Sequence, residues 1–341
     1  MKSLLSTMAL LLGVASLSAC TAKEVSVHDP VMAKEGDTYY VFSTGPGITF
    51  YSSTNMKDWK LEGPVFKAPP TWAKRAAPTF DGHIWAPDVQ FHNGKYYLYY
   101  SVSGFGKNTS GIGVTVNKTL NPRSPDYRWV DQGMVLQSVP ARDDWNAIDP
   151  NIVEDGKGGA WMSFGSFWSG LKLVKLNAAW TGLAEPQEWH AIASRTANAD
   201  VPAGVEAGPG EIEAPFIFKK NGYYYLFASF GLCCRKGDST YHVVIGRSTS
   251  VTGPYVDKKG VDMMKGGGSL LIAGDKDWKG LGHNSAYTMD GKDYLVLHAY
   301  ETADNYLQKL KIIEMKWDAD GWPTVDQADL NKYRSTQLPA K

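Results

Sequence analysis

In this 341-residue chain Asp29 in HDP and Asp149 in IDP stand directly before a proline, and Glu213 in EAP stands one residue ahead of one. Brought together, such carboxyls could hydrolyse an acetal. One, ionised, would take a proton from water; a second, protonated, would hand one to the departing oxygen. The third could set the acid's pKa through charge and hydrogen bonding. An isolated Asp-Pro is ordinarily a turn initiator. These three occur in phase with a longer pattern, and that gives them weight.

The pattern is a fivefold recurrence: HDPVMAKEGDTYYVFS from His28, WAPDVQFHNGKYYLYYS from Trp85, IDPNIVEDGKGGAWMSFGS from Ile148, EAPFIFKKNGYYYLFAS from Glu213 and GHNSAYTMDGKDYLVLHAY from Gly282. Their anchors, Pro30, Pro87, Pro150, Pro215 and His283, lie about 60 residues apart, long for a solenoid and suited to a four-stranded propeller blade. Each copy reads as a first strand, a Gly-containing turn and an aromatic second strand. With 18 Tyr, 12 Trp, 12 Phe and 35 Gly, the composition favours an all-β chain with many tight turns. The expectation is an all-β, five-bladed β-propeller occupying residues 21–341 as one domain. Innermost strands of a propeller converge on its axis, so Asp29, Asp149, Glu213 and His283 are expected around one cavity.

Formal charge is zero and Lys and Arg are dispersed, so no surface for tracking nucleic-acid phosphates is expected. A neutral substrate fits better. Residues 1–20 read as an export leader: Lys2 at the start, an apolar run from Leu4 to Leu17, then LSAC. LSAC resembles a bacterial lipobox, which would make Cys20 the lipid-bearing residue; a plain cleaved leader is the alternative. Thr21 after it suggests sorting to the outer membrane. Cys233 and Cys234 fit neither a disulfide framework nor a metal site, leaving a vicinal disulfide or two free thiols. Asp88 in WAPDV is expected to pack or orient. Glu211, two residues before Glu213, is not expected to take part. Asn108-Thr109-Ser110 and Asn117-Lys118-Thr119 match glycosylation sequons without meaning for a chain of this kind, and His83, His92, His190 and His242 are expected to be solvated or locally capped. The tract from Asn198 to Gly210 could line a cleft or be a plain connection.

The phased set HDP, WAPDV, AIDPN, IEAPF and GHNS resembles the propeller enzymes of glycoside hydrolase family 43. SVSGFGKNTSGIG, WNAIDPN, SFGSFWSGLKL and FGLCCRKGDSTY resemble its endo-1,5-α-L-arabinanases. The resemblance implies Asp29 as general base, Glu213 as general acid and Asp149 as the residue that orients the acid and raises its pKa. It implies inversion, with the base and acid carboxyls about 6.5–9.5 Å apart. It implies a single metal ion at the axis, calcium, beside His283; by residue chemistry alone His283 could equally hydrogen-bond Glu213 or a water, since Ca²⁺ prefers oxygen. Trp85, Phe105 and Trp168, with Asn146 and Ser166, are the candidate sugar contacts. The implied partners are arabinan and arabino-oligosaccharides, acted on by a monomer anchored as a cell-surface or outer-membrane lipoprotein. Exo-action on the same scaffold and glycan binding without catalysis are the rivals.

Overall fold

The aromatic second strands are apolar on both faces because both faces are buried. In the computed structural model, which describes residues 23–195 and 210–339, Tyr40 and Phe42 face one core while Tyr39 and Val41 face another. Tyr97 and Tyr99 likewise part from Tyr96, Leu98 and Tyr100. The leader with Cys20 and residues 198–209 lie outside the described residues.

Five antiparallel sheets follow in chain order, giving the expected propeller. Blade I comprises Val31–Glu35, Thr38–Ser43, Thr49–Ser53 and Asp58–Pro64, with Thr336–Gln337 added parallel at its outer edge. Blade II comprises His83–His92, Lys95–Val102, Ser110–Asn117 and Val130–Ser138, with Gly45–Pro46 added. Blade III comprises Asn151–Glu154, Ala160–Phe164, Leu171–Lys175 and Trp189–Ala193. Blade IV comprises Ile212–Lys220, Tyr223–Phe230, His242–Ser248 and Ser269–Ile272. Blade V comprises Trp278–Met289, Lys292–Glu301, Leu307–Trp317 and Pro323–Thr324.

One apolar core fills each gap between neighbouring blades, so the described residues form five cores and none at the centre of the ring. Burying Trp59, Trp278, Tyr99, Tyr225 and Phe227 there removes the largest apolar surfaces from water, at about 25 cal/mol per Å². The axis is left to polar groups.

The ends of the chain close the ring. The Val25 amide donates to Ser335 O at 3.1 Å, and the Leu310 amide of blade V donates to Val25 O at 3.1 Å. Lys311 is fully buried there, its Nζ 3.7 Å from the centre of the Trp278 ring and 3.2 Å from Tyr333 O. No helix among the described residues is long and apolar enough to cross a membrane.

Candidate active site

The repeat has a backbone signature that the sequence pattern only half revealed. Asp29, Ala86, Asp149, Ala214 and His283, one per blade, all have positive φ, from 44° to 60°. Non-glycine residues rarely sit there, at a cost of about 1–3 kcal/mol each, and such strain clusters at functional sites. In blades II, IV and V the kink accompanies a bulge: Trp85 pairs with Ser101 but Asp88 with Tyr99, Glu213 with Ser229 but Phe216 with Phe227, and Gly282 with His298 but Ser285 with Val296. A bulge re-aims side chains toward the axis. Asp29, Asp149 and His283 therefore occupy equivalent places, whereas Glu213 lies one residue earlier, beside the kink at Ala214.

Each kink turns its amide toward the preceding blade, where a side chain must accept it. Ala86 donates to Thr44 Oγ1 at 2.8 Å, Asp149 to Ser101 Oγ at 3.1 Å, His283 to Ser229 Oγ at 2.8 Å and Asp29 to His298 Nδ1 at 3.2 Å. Thr44, Ser101, Ser229 and His298 all stand in the last part of a second strand or just beyond it. The corresponding place in blade III is Gly165, which donates to Ile148 O as Thr44 does to His28 O. Glycine has no side chain to offer, and the Ala214 amide instead donates to Asp149 Oδ2 at 3.1 Å.

Around this ring the ionisable groups meet. Asp29 Oδ1 lies 2.7 Å from His28 Nδ1 and 3.0 Å from His283 Nδ1, and Thr44 Oγ1 donates to its Oδ2. Burial pushes the Asp29 carboxyl up, but the His28 and His283 imidazoles and their hydrogen bonds outweigh it and hold the group well below the usual carboxylate range. Asp149 goes the other way: burial, reinforced by Glu213 and Asp29 against the pull of His283 and the Ala214 amide, raises it to about 8. His283 would be lowered by burial, yet Asp29, Asp149 and Glu213 push it up to about 9. Glu213 accepts Ser166 Oγ on Oε2 and Tyr241 OH on Oε1, both at 2.7 Å. Acidic groups whose environments drive them apart, one kept ionised and one kept protonated, are the arrangement acid–base hydrolysis needs.

The remaining candidates are placed less uniformly. Trp85 is half-buried beside the kink at Ala86. Phe105 is 83 % exposed at the tip of a loop whose base is pinned by Ser103 Oγ and Ser110 Oγ, 2.6 Å apart. Trp168 is buried in the turn after Gly165. Asn146 is buried with Oδ1 accepting from Ser110 Oγ at 2.6 Å, and Ser166 is spent on Glu213. Asp88 is fully buried and accepts the Ile152 amide at 2.7 Å, an orienting role as expected. Glu211 faces Arg195 at 3.6 Å, away from the acids. Both sequon asparagines are buried: Asn108 donates to Asp143 O and Trp145 O, and Asn117 accepts the Arg128 amide, which leaves neither amide presented to solvent. His92 stacks on Trp180 at 3.9 Å. Cys233 and Cys234 form a vicinal disulfide, settling the alternative left open by their spacing.

Five groups around the acids escaped sequence reasoning: His28, Thr44, Tyr241, His298 and Tyr300. His28 was visible beside Asp29 in HDP, and Tyr241 ends FGLCCRKGDSTY; His298 stands where other copies carry Ser or Thr. His28 stacks on His298 at 3.9 Å. One donor atom each of His28, Asp29 and His298 falls within 4.8 Å of the others. That is not a ready metal site, because His298 Nδ1 already accepts the Asp29 amide. Burial, with His28 beside it, lowers the His298 imidazole well below its usual range, so its 3.7 Å approach to Asp29 Oδ1 is not an ion pair.

Comparison with known proteins finds relatives along nearly the whole chain. The chain is 66% identical to the extracellular exo-α-(1→5)-L-arabinofuranosidase of Cellvibrio japonicus, over 98% of this chain and 96% of that one. It is 40% identical to the extracellular endo-α-(1→5)-L-arabinanase 1 of Bacillus subtilis, over 87% of each. Its fold superposes with a TM-score of 0.91 on the α-L-arabinanase of Cellvibrio cellulosa solved with arabinohexaose, at 66% identity, covering 93% of this chain and all of that one. The family model for glycosyl hydrolases family 43 matches residues 23–323. The chain belongs to glycosyl hydrolases family 43.

Proposed function

We propose that this glycoside hydrolase cleaves the α-1,5 bonds of arabinan by single displacement. Asp29, held ionised by His28 and His283, deprotonates the attacking water. Glu213, fixed by Ser166 and Tyr241, protonates the leaving sugar. Asp149, joined to the Ala214 amide next to Glu213, keeps a proton within the acid pair. The observation that carries this reading is the meeting of the acids at the axis: Asp29 held between His28 and His283, and Asp149 joined to the amide next to Glu213. Glu213→Ala is expected to lower turnover of arabinan by roughly 10³-fold with folding intact. A retained anomer in the first product, followed by NMR, would refute single displacement.

Internal cleavage was the expectation from the motifs. Identity of 66% to an exo-acting relative against 40% to an endo-acting one makes attack at the chain end the first reading. Incubating residues 21–341 with debranched linear arabinan separates the two. Short products of uniform size with slowly falling viscosity support exo-action; mixed oligosaccharides with a rapid fall support endo-action. Cleavage of neither arabinan nor an aryl arabinofuranoside would restore the glycan-binding alternative.

A hydrated cation beside His283 belongs to the same proposal. Asp29, Glu213 and one oxygen of Asp149 are committed to protein partners, so the chain offers the Nε2 of His283 and few oxygens. This fits an ion held mainly through water and not a calcium cage. When bound, it would add fixed positive charge among the acids, the part a protonated His283 plays in the ion-free site. Calorimetric titration of chelator-treated protein with Ca²⁺ tests it. Export accords with the names of both relatives, and acylation at Cys20 would be checked by labelling with a fatty-acid analogue and by Cys20→Ala.

A further inference from the structure

A chain of contacts leads from the vicinal disulfide to Asp29. The Cys234 amide donates to Tyr300 OH at 3.1 Å, Tyr300 OH lies 2.9 Å from His28 Nε2, and His28 Nδ1 lies 2.7 Å from Asp29 Oδ1. The sulfur of Cys234 approaches His28 Nε2 to 3.9 Å. Tyr300 is 4 % exposed, so its hydroxyl has few other partners to choose from, while Cys234 is exposed at the rim.

The direction of this chain follows from its two ends, since the Cys234 amide can only donate and the ionised Asp29 carboxylate can only accept, which puts a hydrogen on His28 Nδ1. A backbone N–H can only donate, so Tyr300 oxygen accepts from Cys234 and its own hydrogen is available for His28 Nε2. An imidazole accepting at Nε2 carries its hydrogen on Nδ1, which then faces Asp29. Cys234 has φ of 65°, and its amide points as it does because the eight-membered ring of the disulfide removes rotation about the Cys233–Cys234 unit. The loop is braced further by Leu232 N–H to Thr240 Oγ1 and Arg235 N–H to Ser239 Oγ.

We propose that the Cys233–Cys234 disulfide and Tyr300 are positioning elements for the reaction: through the Cys234 amide they fix His28 as its Nδ1–H tautomer and so aim that hydrogen at Asp29. The inference rests on Asp29 being the base. It gives the disulfide a role in turnover beyond tying a loop.

The test uses the full folded protein. An excess of a small dithiol breaks the Sγ–Sγ bond, giving two cysteine thiols by transfer of two electrons and two protons, with the dithiol closing to its own cyclic disulfide; mass spectrometry confirms the two added hydrogens. Reduction is expected to lower kcat on linear arabinan roughly tenfold with KM little changed. Tyr300→Phe should do the same, and reduction of that variant should add nothing, because both break one chain. In ¹⁵N-histidine-labelled protein, the His28 signal, assigned by its loss in His28→Gln, should report the Nδ1–H tautomer in the native protein and a tautomer mixture after either treatment. Cys233→Ser with Cys234→Ser repeats the test without a reductant. An Nε2–H or doubly protonated His28 in the native protein, or additive losses of kcat, would overturn the proposal. If Asp29→Asn abolishes turnover while reduction and Tyr300→Phe leave kcat and the signal unchanged, the proposal alone fails. If Asp29→Asn retains turnover, the base assignment fails and takes the proposal with it.

Discussion

The junction between blades II and III and the junction between blades III and IV solve the same problem differently. In the first, Ser101 at the end of a second strand accepts the kinked amide of Asp149; in the second, Gly165 stands where that serine would be, and Asp149 itself accepts the amide of Ala214. Four junctions are sealed by a hydroxyl or an imidazole and one by a carboxyl group. The difference teaches how a symmetric frame acquires a reactive side. Removing one side chain from the repeat recruits an acid into a structural bond, and that bond sets the acid beside Glu213.

Asp149→Ala should have the largest effect. It removes the acid's partner, lowering kcat by roughly 10³-fold, and it leaves a buried amide unpaired, costing about 1–3 kcal/mol in denaturant unfolding. Asp149→Asn should restore the stability and not the turnover, since an amide oxygen still accepts from Ala214. Equal stability in the two variants would break the comparison.

Gly165→Ser tests the vacancy. Its φ is 123°, and an added Cβ would lie 2.9 Å from Gly170 O, so any side chain is strained. Gly165→Ala carries that strain alone. A further fall in kcat, about tenfold, in the serine variant relative to the alanine one would show competition with Asp149 for the junction. Identical kinetics would remove Gly165 from the argument.

Ser101→Ala and Ser229→Ala should each cost about 1–3 kcal/mol by orphaning the amides of Asp149 and His283, with smaller losses of turnover. Thermal unfolding and kcat measured together separate the two effects.

The smallest effect concerns Asp88, two residues beyond its blade's kink, as Asn151 is in blade III. Burial raises its carboxyl to about 6, against the hydrogen bonds from Ile152, Gln90 and Asn151. An unfolded Asp titrates near about 3.9. The folded protein thus binds more protons between these values, and the stability this group contributes is present below about 4 and lost as pH rises through about 6. Asp88→Asn cannot ionise. Its melting temperature relative to the parent should rise from pH 4 to pH 7, and parallel profiles would contradict the burial argument. Both Asp88 and Asp149 are raised by burial, so a displaced pKa alone does not mark a reactive group. Glu213, Asp29 and His283 around Asp149 do.

The repeat was legible because each blade carries its own copy of the kink and the aromatic strand. The acids were legible for the same reason, since a propeller brings equivalent positions to one axis. Glu213 falls in the same cluster although it is out of phase by one residue. His28, His298 and Tyr300 were not legible, because their meaning depends on which blade faces which across about 270 residues of sequence, and Tyr241 was not because only the fold turns its hydroxyl to Glu213. The disulfide could not be decided from two adjacent cysteines. Asn146 and Ser166 sat in the quoted motifs, but only the fold shows their polar atoms turned to Ser110 and Glu213.

The clasp of Val25 between Leu310 and Ser335 has a consequence for how the molecule comes into being. Contacts so distant along the chain carry a large loop-closure penalty and form late. Until synthesis has delivered the last strands, blades I and V present open edges capable of pairing with other chains. Residues near the start of the chain are therefore the last to find their place.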